Sequence, residues 1–194
     1  MRRVLLIGRL LVLCLLLLAC YRSEPPPPRA CPITGLLLDA TSFPVGASAG
    51  EILSPMPRAA RDSAGRTIYL RKGLANHDVY RHASAVRAAQ EFAHRRRVTF
   101  VTGEDYGPWE NPRDLSYRSP IANQYYLACG IDHGIYMCIM VAQYEEYYIF
   151  FNAHMDEQTM TFSDLERALQ AIDAKMANCL QKPLTPTTPT AVAE

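Results

Sequence analysis

The sequence predicts an α+β fold: an antiparallel β-sheet with a C-terminal three-strand meander, packed against two main helices. Three observations predict it. Residues 125–129, 135–144 and 147–153 are apolar, aromatic and β-branched runs joined by short turns, the pattern of an antiparallel meander. Leu165, Leu169, Ile172 and Met176 recur at helical spacing behind Ser163, which has Glu166 three residues on, as in a capping box. A second helix is expected from Ser84, placed as an N-cap, to about Arg96, with Val86, Ala89, Phe92 and Ala93 as its apolar stripe. Strands and helices in this order fit a sheet with helices laid against it.

The remaining elements follow in chain order. Glu24 and the four prolines after it give residues 21–30 an extended polyproline character, and at about 3.1 Å per residue they form a spacer of roughly 30 Å. Leu36, Leu37 and Leu38 open the folded part, and a Pro- and Gly-rich loop is expected over 43–66. Residues 67–70 read as a strand with 78–82 as its hairpin partner, through Val79 and Tyr80. After the first helix, 98–102 reads as another strand, followed by a polar, Pro-containing loop around Trp109. Residues 182–194 are Thr- and Pro-rich without apolar periodicity, so disorder is expected there. The expected organisation is therefore an amino-terminal segment 1–19, a spacer 20–30, one globular domain 31–181 and a tail 182–194.

The amino terminus carries an address. Arg2, Arg3 and Arg9 precede an apolar run to Ala19, too short to span a bilayer, and Leu17, Leu18, Ala19 and Cys20 follow one another. This resembles a bacterial lipoprotein signal with its lipobox. The resemblance implies cleavage before Cys20, acylation of that cysteine with diacylglycerol and often a further palmitate-like chain, and an extracytoplasmic protein held on a bacterial membrane by its lipid. The membrane would be the cell membrane, or the outer membrane of a source that has one. The same residues also fit an ordinary signal peptide cut near Ala19, or an uncleaved anchor. Further on, Tyr80, Arg81, His82, Ala83, Ser84 and Ala85 lead from strand to helix. With the meander and its closing helix, they are similar at the fold level to PsbP-like extracytoplasmic lipoproteins and kinase sensor domains; that similarity leaves function open.

Loss of the three arginines within the first 19 residues from the 20 basic groups leaves 17 against 19 acids. A near-neutral chain argues against general nucleic-acid binding. Arg95, Arg96 and Arg97 either form a basic patch for a partner or complement the negative end of their helix.

On that resemblance Cys14 leaves with the signal and Cys20 takes the lipid, so Cys31, Cys129, Cys138 and Cys179 are expected to remain in an oxidising compartment. A two-residue turn at His133 and Gly134 pairs Asp132 with Ile135 and, counting outward, sets Cys129 opposite Cys138 in a non-hydrogen-bonded position, where a cross-strand disulfide is feasible. Cys31 and Cys179 would then tie the start of the domain to its last helix. No zinc spacing is present.

The same count, with Glu145 and Glu146 as the second turn, puts Tyr125, Leu127, Cys129, Met140, Tyr144, Ile149 and Phe151 on one face. Tyr126, Ala128, Met137, Ile139, Val141, Tyr148 and Phe150 lie on the other. Both faces are apolar, whereas a sheet with one solvated side alternates. One face takes the helices; the other needs cover from residues 36–66, an apolar ligand or a protein partner. Tyr126, Tyr148, Phe150 and Trp109 are thus the candidate binding surface. Chemistry is sparse: the histidines lack metal-ligand spacing, and no nucleophile elbow or phosphate loop occurs. No metal or other cofactor is called for. The expectation is a membrane-tethered, non-enzymatic binding or assembly module. The alternatives are an extracytoplasmic hydrolase using His154 or His133 with nearby carboxylates, and a purely structural envelope lipoprotein.

Overall fold

The computed structural model describes residues 26–55 and 60–184. The expected signal segment and Cys20 lie outside the described residues, as do residues 185–194 of the expected tail. Six strands, β1 (Ser48–Leu53), β2 (Asp62–Tyr69), β3 (Leu74–Arg81), β4 (Gln124–Asp132), β5 (Ile135–Tyr144) and β6 (Tyr147–His154), form one sheet in the order β1-β2-β3-β6-β5-β4. Every pairing is antiparallel. The helices α1 (Ala85–Thr99) and α2 (Phe162–Leu180) each follow a run of three strands. The fold is α+β, and β4 to β6 form the expected meander.

Both meander turns close as the sequence requires. His133 and Gly134 have φ of 48° and 79° and Glu145 has 53°, the left-handed values that let a two-residue connection follow the twist of its strands. Asp132 therefore faces Ile135, Tyr144 faces Tyr147, and Cys129 faces Cys138. Cys129 exchanges both main-chain hydrogen bonds with Glu110, at 2.9 and 2.8 Å, so its pairing with Cys138 is a non-hydrogen-bonded one. The two cysteines are disulfide-bonded with Cα atoms 4.0 Å apart, and Cys31 is bonded to Cys179 across 5.4 Å.

The helices divide between the two faces instead of sharing one. Leu165, Leu169, Ile172 and Met176 of α2 pack with Leu36, Leu37, Leu38 and Phe43 against the face bearing Met140, Ile149 and Phe151. On the other face Phe92 of α1 meets Val141 and Tyr148, with Tyr80, Tyr126 and Phe150 around them. A sheet apolar on both sides over β4 to β6 needs a cover on each, and the chain supplies one helix per side. Where α1 stops, the same face turns polar: Thr67 donates to Asn76 at 2.8 Å and Asn76 to Asn152 at 3.1 Å, a ladder running across β2, β3 and β6.

Several sequence expectations need correction. The loop over 43–66 contains β1, whose residues are almost all exposed and so carry no apolar alternation. Residues 98–102 are the end of α1 and the loop after it, not a strand. Helix α1 starts at the expected Ser84 cap, whose hydroxyl accepts from the Arg87 amide at 3.3 Å, but it buries Ala88 and Phe92 while Val86 is exposed. Helix α2 begins with the capping box Thr161 and Asp164, two residues before the expected Ser163 and Glu166.

The two ends of the described chain meet at the β5–β6 turn. Arg29 donates from Nε and Nη2 to the buried Glu146 carboxylate, both at 3.0 Å, and also pairs with Glu145. Arg81 reaches Glu146 at 3.2 Å and the Pro27 carbonyl at 3.0 Å, and Lys182 reaches Glu145 at 2.9 Å. The expected spacer thus contacts the sheet end at Pro27 and Arg29.

Candidate functional site

Residues 100–123 connect α1 to β4 without a helix or a named strand, and connections of that length in a compact fold are usually functional. The segment lies along the outer edge of β4. Gly107 donates its amide to the Ile131 carbonyl at 2.8 Å, His133 donates to Asp105 at 2.9 Å, and Glu110 pairs with Cys129. Gly130 permits the approach: a Cβ there would stand 2.6 Å from the Pro108 carbonyl oxygen and 3.0 Å from the Trp109 ring. Trp109 donates its indole N–H to the Val101 carbonyl at 2.8 Å and meets Phe100 edge-on, and Phe100 in turn meets Tyr126 at 4.7 Å between centroids.

The far end of the loop is fixed by Asp173 of α2, which is 1 % exposed. Its carboxylate accepts from the hydroxyls of Ser119 and Tyr144, both at 2.7 Å, and from Tyr117. Ser119 Oγ also accepts from the Ala122 amide at 2.9 Å, so one buried charge holds the return of the loop into β4. Burial, together with the nearby carboxylate, raises the phenols of Tyr117 and Tyr144, which keeps them protonated as donors.

Between this loop and the β4 edge lies a cleft of about 530 Å³, within the range of small-ligand sites. Leu115, Leu127 and Pro112 are its apolar lining residues, and Asn111, Ser116 and Tyr117 line it with polar groups. Arg96 and Arg118 complete the wall. The Arg96 guanidinium sits 4.3 Å from the centre of the Tyr126 ring. Tyr125 also lines the cleft; its hydroxyl is buried with no hydrogen-bond partner among the described residues, and burial and then the Asp173 charge raise its pKa. A second cleft of about 390 Å³, on the other side of residues 111–112, is bordered by Ile131, Tyr136 and Phe162.

The expected surface residues separate in this geometry. Tyr126 lines the cleft, and Trp109 reaches it through Phe100. Tyr148 is 1 % exposed beneath α1 and is a core residue, and Phe150 is half-buried beside it. His133 is exposed, with Nε2 2.8 Å from the Tyr106 hydroxyl and 3.9 Å from Asp132. His154 packs beside Gly73 and Thr159, while the Asp156 carboxylate is taken up by the hydroxyl and amide of Thr159 and the amide of Gln158. Among the described residues no group of three or more His, Cys, Asp and Glu side chains is arranged to hold a metal. Arg118, Tyr117, Tyr125 and Asp173 were not marked as site residues by the sequence; the run of arginines at the end of α1 was the one signal that pointed here. The chain matches no known family model and no characterised protein.

Proposed function

We propose that this protein is an extracytoplasmic lipoprotein, tethered to a bacterial membrane through Cys20, that works as a non-enzymatic binding module. The observation that carries the binding part is the cleft at the β4 edge: ligand-sized, partly polar, walled by a long loop that is tied down at both ends. The anchor rests on the basic start, the short apolar run and the lipobox-like residues before Cys20. Two disulfides suit an exported chain.

Expression of the full chain with its own leader in a bacterial host, with labelled palmitate, tests the anchor. Wild type should take up label and partition into detergent, while Cys20→Ser should be unlabelled and released. Equal partitioning of the two would remove the lipoprotein reading. The binding part is tested by mass spectrometry of small molecules extracted from protein purified from membranes: a stoichiometric species lost in a cleft variant supports it. A protein that never acquires a ligand yet is needed for envelope integrity would favour the structural alternative.

A further inference from the structure

We propose that the β4-edge cleft binds a small organic anion, with a carboxylate or phosphate head held by Arg96 and Arg118 and an apolar body lying on Leu115 and Leu127. The inference rests on the binding reading above and names the ligand class of the same site. Neither guanidinium takes part in an ion pair among the described residues, and no carboxylate borders the cleft. Their neighbours do otherwise: Arg95 is paired with Glu91 at 2.7 Å. The Asp173 carboxylate, reached from the cleft through Tyr117, accepts from three hydroxyls.

The other groups add donors. Tyr125 brings a buried hydroxyl with no partner among the described residues, and Asn111 and Ser116 also line the cleft. By the alternation that turns Cys129 outward, the main chain of Leu127 also faces the free edge of β4. A surplus of donors around two unpaired cations is matched by an oxyanion, for which guanidinium gives the two-pronged geometry. Stacking on Tyr126 holds Arg96 in place before a ligand arrives. The volume exceeds what an inorganic ion fills, which is why an organic body is assigned to the apolar lining residues.

Trp109 is the single tryptophan of the chain and touches the cleft through Phe100, so its fluorescence reports occupancy. The full chain in nonionic detergent is titrated with phenyl phosphate, benzoate and, as the neutral counterpart, benzyl alcohol, with calorimetry in parallel. Saturable binding of at least one anion is expected, weakened by added salt and absent for benzyl alcohol. Arg118→Gln, at an exposed position that leaves the fold alone, should weaken it about tenfold, as should Arg96→Gln, whereas Arg97→Gln should leave it unchanged. Preference between the two anions identifies the head group, either answer supporting the assignment. Equal binding of benzyl alcohol, or anion binding indifferent to Arg118→Gln, would overturn the anion class while leaving a binding module. Binding of none of the three probes would overturn it too, and the palmitate experiment would still report on the anchor.

Discussion

His77 has no exposed surface, and its Nδ1 accepts a hydrogen bond from the Leu38 amide at 3.1 Å. Only the neutral ring can accept there. Burial, and then the Lys175 charge, push its pKa down from 6.5 to about 3. The unfolded chain thus binds a proton below 6.5 that the folded chain refuses until about 3, so stability falls as pH drops through that window and does not depend on this group above it. At about 1.4 kcal/mol per pKa unit, His77 alone should cost roughly 2–3 kcal/mol between about pH 7 and 4.5. Urea denaturation of wild type and His77→Gln at both pH values checks this. Equal losses in the two proteins would clear His77 of the effect. Asp173 makes a second case at this scale. Asp173→Asn removes the charge that three hydroxyls converge on and puts two N–H donors among them, so a loss of about 2–4 kcal/mol is expected, with faster amide exchange at residues 117–122.

At the scale of elements, the cleft depends on how closely the α1–β4 loop approaches its strand. Gly130→Ala should act there, because its added carbon would meet the main-chain oxygen of Pro108, which cannot swing aside as a side chain does. The expected outcome is a displaced loop, a changed Trp109 emission and weaker anion binding, with the sheet's circular dichroism unchanged. What the sequence made legible divides along the same line. Strands β4 to β6, their register and both disulfide partners could be read, because two-residue turns and a period of two leave little freedom in a meander. Strand β1 could not: an exposed edge strand has no buried face to impose alternation. The β-branched residues Val98, Thr99 and Val101 suggested a strand, yet they lie where α1 ends, since contacts of the helix with β5 and β6 outweigh local preference. The cleft was legible only in part. Tyr126 followed from the strand pattern, whereas Arg118, Tyr117 and Asp173 come together through a loop path that no periodicity encodes.

Across the whole molecule, the chain is closed at one end of the sheet. Arg29 and Cys31 arrive from the amino-terminal side, Cys179 and Lys182 from the carboxyl-terminal side, and both sets converge near the β5–β6 turn. In the proposed anchored protein any pull from the membrane enters the fold at this point, so the clamp that joins the ends also carries the load. The two disulfides should therefore differ in weight. Cys31–Cys179 closes a separation of 148 residues and Cys129–Cys138 one of 9. On loop entropy alone, their removal costs about 5 and about 2.5 kcal/mol respectively. Guanidinium denaturation of the Cys31→Ser/Cys179→Ser and Cys129→Ser/Cys138→Ser double variants measures both. The clamp adds to the first: Glu146 is 1 % exposed and holds two arginines, so Glu146→Ala leaves the mostly buried Arg29 with only Glu145 and should cost about 3 kcal/mol. If the hairpin disulfide proved the costlier of the two, closure of the ends would not be what stabilises the fold.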